Sequence, residues 1–191
     1  MGCGKTTVGR LLAERLGFPF DDADDFHPPE NVSKMRNGIS LGDEDRIGWL
    51  ATLKGRIDER RSRGENLVLA CSALKAWYRD LLGIDQKEII SIYLKGSQDL
   101  LQTRIDNRDH QYMNKELLNS QIATMEEPTD GVVVDISSSP EALCDEITTK
   151  IHKVAKAGFT TKSTKINDKF NGVFLCALCV FVVNLYFRST R

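Results

Sequence analysis

Six residues at the start of the chain, Gly2-Cys3-Gly4-Lys5-Thr6-Thr7, constrain its fold more than any other feature. They read as the second half of G-x-x-x-x-G-K-[ST] and run directly into the apolar-periodic Val8-Gly9-Arg10-Leu11-Leu12. That motif is a strand, a glycine-rich turn and a helix N-terminus. Its backbone N–H groups surround phosphates, its Lys reaches the β and γ oxygens, and its hydroxyl holds Mg²⁺. Gly2, Cys3, Gly4, Lys5, Thr6 and Thr7 are therefore candidate nucleotide-binding residues. Lys5 is also a candidate for the chemistry and Thr6 for the metal. The first glycine of the motif and its strand would fall before Met1, so a sheet lacking its first strand is expected. Taken alone, the six residues could also be a plain helix start.

The remaining pattern alternates strands with helices, which points to an α/β fold with a parallel sheet. Val8, Leu11, Leu12 and Leu16 make one helical stripe over residues 5–16, with Gly17 as its stop. Phe18–Asp22 reads as a short strand, and Asn31–Arg36 as a short helix after the His27-Pro28-Pro29 turn. Asp43–Arg63 reads as a long helix with Ile47, Leu50, Leu53 and Ile57 inward. Leu67–Cys71 and Ile89–Leu94 are continuous apolar runs suited to buried parallel strands. Helices are expected at Ala76–Leu82, Ser97–Arg108 and Lys115–Met125, the last strand at Val132–Ile136, and a closing helix at Pro140–Lys156.

Asp22 and Asp24 stand two apart at the carboxyl end of the Phe18–Asp22 strand, where ligands of such sheets bind. Alternate strand residues point the same way, so both carboxylates could face the phosphates. Asp22 is then a candidate for supporting Mg²⁺, and Asp24 for orienting or deprotonating an acceptor hydroxyl. The competing reading is a solvated acidic turn made by Asp21, Asp22, Asp24 and Asp25. A net charge of −1 argues against a nucleic-acid partner. Five scattered cysteines do not make a disulfide scaffold, and a reduced, cytoplasmic setting is expected. Cys176-x-x-Cys179 has redox spacing without the flanking βαβ pattern that would give it meaning.

Several blocks resemble the thermoresistant gluconokinase family. They are DADDFHPPENVSKMRNGISLGDEDRIGWL at 22–50, CSALKAWYRDLL at 71–82, IYLKGSQDLLQTRIDNR at 92–108 and LLNSQIATMEEP at 117–128. The resemblance covers about residues 2–156. It implies a nucleoside-monophosphate-kinase-like P-loop domain with helices on both faces of the sheet. It also implies transfer of phosphate from MgATP to the 6-hydroxyl of D-gluconate, and a homodimer as a family expectation. A polyhydroxy acid needs hydrogen bonds for its hydroxyls and a cation for its carboxylate. Asp24, His27, Asn31 and Lys34 are candidates for the first need, and Arg46 and Arg79, as bidentate guanidinium forks, for the second. Arg104 and Arg108 share a helix face and are candidates for offsetting charge on the transferring phosphoryl. The chain departs from the family pattern at Ser40 and Gly48, where proline is usual, and at Gln111, where the lid histidine is usual.

The kinase-like domain is expected at 1–156, a linker at 157–171 and an apolar tail at 172–191. The tail GVFLCALCVFVVNLYF (172–187) is flanked by Lys165, Lys169, Arg188 and Arg191. Sixteen helical residues span roughly 24 Å, short of a hydrocarbon core of roughly 30 Å. Membrane contact through 172–187, a docked helix and an accidental tail are the readings open for it. For the whole chain, two alternatives stand beside gluconate phosphorylation: a truncated, inactive binding or regulatory polypeptide, and a related kinase with another acceptor such as shikimate.

Overall fold

A computed structural model describes residues 2–85, 88–107, 115–157 and 173–177. The chain opens with helix α1 (Lys5–Leu16), which ends at Gly17 in a left-handed cap with φ of 67°. Strand β1 (Phe20–Asp22) follows, then a 3-10 turn at Ala23–Phe26 and helix α2 (Pro29–Arg36), with proline in its first turn. Next come α3 (Asp43–Ser62), β2 (Leu67–Ala70), α4 (Ala76–Leu82) and β3 (Ile89–Lys95). The chain continues through α5 (Gln98–Asp106), α6 (Lys115–Thr124), β4 (Val132–Asp135) and α7 (Pro140–Ala157). A last strand, β5, spans Val173–Ala177.

The sheet is parallel throughout, in the order β1-β2-β5-β3-β4. Helices α1 and α7 pack together on one face, and α3 and α4 on the other. The two apolar runs behave as buried central strands should. All of Leu67–Ala70 is buried, and so is every residue of β3 except Lys95. Leu12, Leu50, Leu53, Ile57, Leu82 and Ile147 close the core from both sides.

Three expectations differ from the structure. Ile47 is 53% exposed, while Arg46, Trp49, Leu50, Leu53 and Ile57 face inward. The inward stripe of α3 runs through 46, 49/50, 53 and 57, and Ile47 lies one residue, about 100°, off it. Asp24 is not on a strand. The Asp22 side chain accepts the Asp24 backbone N–H at 3.2 Å, and the chain turns there into the 3-10 segment. Finally, Val132–Asp135 is not the last strand, and the slot between β2 and β3 is filled. Val173–Ala177, in the run read above as a membrane-contacting or docked helix, is a strand hydrogen-bonded on both sides. The rest of that run, with Cys179, lies outside the described residues, as does most of the linker. No helix among the described residues is long and apolar enough to cross a membrane. Cys3, Cys71 and Cys144 are buried cysteines in the thiol form.

Candidate functional site

The site is built around the turn that starts α1. Gly4 is the N-cap with φ of 88°, and Gly2 has φ of 73°. Both angles favour glycine. A Cβ on Gly2 would also stand 2.9 Å from the Leu101 carbonyl oxygen, so that position requires glycine for space as well. The first turn of α1 holds Lys5, Thr6 and Thr7 and no carboxylate. Its positive end is therefore left to attract an anion. Cys3 is buried beneath the loop and Lys5 is 9% exposed.

Thr6 Oγ1 donates to Asp22 Oδ2 at 2.8 Å, which brings the two expected metal-supporting residues together. Burial raises the Asp22 carboxyl above its ordinary 3.8, and the nearby Asp24 charge adds to that. The Thr6 hydrogen bond, the Asp24 N–H and Lys5 pull it back. A carboxylate held this way gains from a cation at its oxygens.

A cleft of about 100 Å³ brings Lys5, Asp24, His27 and Arg46 together with Ser72 and Gln121. His27 stacks on Trp49 with ring centroids 4.4 Å apart and planes 14° from parallel. Trp49 Nε1 in turn donates to the Ala23 carbonyl at 2.7 Å, tying α3 to the acidic turn. Burial lowers the His27 pKa from its ordinary 6.5, with Arg46 adding to the effect and Asp24 opposing it. Its stability contribution is therefore full above pH 6.5. It declines as pH falls through the folded value, because the unfolded chain takes up the proton more readily. His27→Gln is expected to flatten part of the fall in Tm below pH 6.5. An unchanged Tm–pH slope would show that His27 carries none of it.

The α3 start is held by two carboxylates. Asp45 accepts Lys34 Nζ at 2.6 Å and the Gly42 N–H at 3.0 Å, and its carbonyl accepts Asn31 Nδ2 at 2.7 Å. Asp43 accepts Lys75 Nζ at 2.7 Å on each oxygen and the Tyr78 hydroxyl at 2.6 Å. These bonds, the Lys75 one first, hold the Asp43 carboxyl below its ordinary value. Arg46, 7% exposed, adds its positive charge to what holds both carboxyls below their ordinary value. Its Nε donates to the Leu41 carbonyl at 3.4 Å and its guanidinium sits 5.9 Å from the Tyr78 ring centre.

The structure thus gathers some of the expected residues and separates others. Lys5, Asp24, His27 and Arg46 share one cleft. Asn31, buried at 3%, and Lys34 stand behind it and brace the α2–α3 junction through Asp45. Arg79 does not line the cleft. Its Nη1 donates to the Ala73 and Leu74 carbonyls at 3.0 and 3.3 Å, so it shapes the loop after β2. Arg104 lies on the other side of the phosphate loop, in a cleft of about 300 Å³ with Gly4, Thr7, Asn107, Ser138 and Pro140. There its Nη2 donates to the Ile136 carbonyl at 2.6 Å. Arg108 lies outside the described residues. A wider groove of about 460 Å³ runs past Arg10, Glu14, Asp21, Asp22 and Asp25 on the outer side of β1. Four carboxylates against one guanidinium make it a poor place for a phosphate.

Several contributors had not been singled out from the sequence. Ser72, Gln121, Ser120 and Thr124 line the cleft. Glu126 clamps the loop after β2, accepting the Ala76 N–H at 2.6 Å and donating its own N–H to the Leu74 carbonyl at 2.8 Å. All of them sit inside the blocks 71–82 and 117–128, and that placement was the available signal.

The model of the shikimate kinase family matches residues 1–152. A probable gluconokinase of Dictyostelium discoideum is 41% identical over 159 residues, covering 76% of this chain and 80% of that protein. The gluconokinase of Gluconobacter oxydans (strain 621H) is 40% identical, covering 76% and 84%. The thermoresistant gluconokinase of Escherichia coli (strain K12) is 36% identical, covering 74% and 83%. Among solved structures, a gluconokinase from Sinorhizobium meliloti 1021 superposes with a TM-score of 0.75 at 36% identity, over 83% of this chain and 91% of that one. An unliganded sugar kinase from Janibacter sp. HTCC2649 superposes with a TM-score of 0.72 at 37% identity, over 84% and 94%.

Proposed function

Because this chain belongs to the gluconokinase family of P-loop kinases, we propose that it transfers the γ-phosphoryl group of ATP to the 6-hydroxyl of D-gluconate. The observation that carries the reading is the cleft where Lys5, Asp24, His27 and Arg46 converge at the N-terminus of α1. It supplies a cation for phosphate, a carboxylate for a hydroxyl proton and a buried guanidinium for a substrate carboxylate.

The division of labour follows from the chemistry of each group. The loop N–H groups and Lys5 bind the phosphates at the positive end of α1. The cleft beside Arg104, Asn107 and Pro140 takes the nucleoside side of ATP, across the loop from Asp24. Asp24 orients the attacking hydroxyl and accepts its proton. Arg46 pairs with the gluconate carboxylate, and its contacts to Leu41 and Tyr78 hold it in place. His27, kept neutral near pH 7, serves as a hydrogen-bonding partner for substrate hydroxyls. Thr6 and Asp22 offer hard oxygen donors 2.8 Å apart, a donor set that suits Mg²⁺. When bound, Mg²⁺ would offset phosphate charge during transfer. Catalysis in such a site is positioning plus electrostatics.

Coupled ADP release with gluconate, shikimate and nucleoside monophosphates tests the assignment. Gluconate is expected to give the highest kcat/KM, and preference for another acceptor would overturn it. In the same assay Arg46→Gln is expected to raise the gluconate KM about 10–100-fold with a smaller change in kcat, as loss of one charge-assisted pair predicts. An unchanged KM would place the carboxylate elsewhere.

A further inference from the structure

We propose that Lys75 and Tyr78 are positioning residues that hold the Asp43 carboxylate away from Arg46, and so keep the buried guanidinium open for the carboxylate of the substrate. This rests on the reading of Arg46 as the partner of the gluconate carboxylate. A buried arginine is almost always paired, because an unpaired charge in the interior is costly. Arg46 departs from that rule. It is 7% exposed and lines the cleft with Lys5, Asp24 and His27. Among the described residues no carboxylate comes within ion-pair distance of it, and the 3.4 Å contact from Nε to the Leu41 carbonyl is its one hydrogen bond.

A partner is nonetheless at hand. Asp43 and Arg46 stand three apart in the first turn of α3, the spacing at which helical side chains meet. An acid and an arginine placed so would ordinarily form an ion pair. Asp43 is held elsewhere. Both of its oxygens accept Lys75 Nζ at 2.7 Å, and Oδ1 also accepts the Tyr78 hydroxyl at 2.6 Å. Tyr78 is 1% exposed, so packing fixes where that hydroxyl points. Arg46 Cζ and Lys75 Nζ each lie 5.9 Å from the centre of the Tyr78 ring. Two cations thus stand near one carboxylate, and Lys75 has it. Asp45, the next carboxylate along the helix, is likewise taken by Lys34 Nζ at 2.6 Å. Arg46 is close enough to help lower the Asp43 pKa, yet no bond joins the two. Released from Lys75 and Tyr78, the Asp43 carboxylate would compete with the substrate carboxylate for the same guanidinium. The apparent affinity would then fall with the fraction of Arg46 left open.

Steady-state kinetics with gluconate on the 191-residue chain is the test. The double variant Lys75→Met/Tyr78→Phe keeps the aromatic ring and frees Asp43. It is expected to raise the gluconate KM about 5–30-fold, with kcat within a few-fold and the ATP KM unchanged. Adding Asp43→Asn should bring the gluconate KM back to within about 3-fold of the parent. Lys75→Met alone, which leaves the Tyr78 hydroxyl on Asp43, should fall between, and Lys75→Arg should keep the parental KM. If the double variant melts below the assay temperature, Lys75→Met with and without Asp43→Asn gives the same comparison. The rescue is what a merely structural role would not produce, since Asp43→Asn removes the last member of the cluster and restores none of it. A KM unchanged on freeing Asp43, or a raised KM that Asp43→Asn does not lower, would overturn the proposal. Arg46→Gln separates this from the acceptor reading. If Arg46→Gln raises the gluconate KM and freeing Asp43 does not, the proposal alone fails. If Arg46→Gln leaves the KM unchanged, the role of Arg46 and the proposal fail together.

Discussion

Replacing Asp24 with asparagine is expected to lower kcat about 10²–10⁴-fold while leaving the gluconate KM within a few-fold. Asparagine keeps the size of the side chain and removes only the basic oxygen. The backbone N–H of residue 24 still reaches the Asp22 carboxylate at 3.2 Å, so the turn into the 3-10 segment is retained. The loss should therefore fall on proton acceptance and not on folding, and Tm should stay unchanged. Steady-state kinetics with gluconate, run beside thermal melts, separates the two. A kcat near that of the parent would move the base to another group.

The second large effect is on stability. Trp49→Ala is expected to cost about 3–5 kcal/mol, the usual range for truncating a buried aromatic side chain. Trp49 is 1% exposed, donates from Nε1 to the Ala23 carbonyl at 2.7 Å and stacks on His27. At about 2–4 °C per kcal/mol for a domain of this size, Tm should fall by roughly 6–20 °C. Trp49→Phe keeps most of the packing and loses the hydrogen bond, so its cost should be nearer 1 kcal/mol plus a void term. Because Trp49 joins α3 to the acidic turn, the alanine variant should also weaken gluconate binding through His27. A Tm shift under about 2 °C would show that this junction contributes little.

Much of the fold was legible because its elements have local causes. Helix α1 has a stripe of apolar residues and a glycine stop, and α4 was expected over the same residues, Ala76–Leu82, that form it. The loop motif and the matched blocks named Lys5, Asp24, His27 and Arg46, which the fold brings to one cleft, because a motif fixes the place in the fold at which each side chain emerges. Legibility failed where the cause is long-range. Arg79 reads as a carboxylate fork by its chemistry, yet the nearest acceptors are the Ala73 and Leu74 carbonyls, which only the folded loop brings to it. Ile47 reads as inward because 47 and 50 are helical neighbours, and only the packing of α3 shows that the stripe runs through Arg46 instead. Val173–Ala177 is the clearest case. An apolar run has the same composition as a bilayer helix and as a buried parallel strand, and periodicity does not separate them. The choice depends on whether two other strands leave a slot for it, and β2 and β3 lie far away in sequence.

The most direct measurement is product analysis by the 191-residue chain supplied with γ-labelled ATP, Mg²⁺ and D-gluconate. ADP and 6-phosphogluconate are expected in equal amounts, with the label on the 6-oxygen and with turnover lost in the Asp24→Asn variant. ADP formation that is indifferent to gluconate, or, with shikimate or a nucleoside monophosphate added in competition, label that appears on the competitor in preference to gluconate, would contradict the assignment.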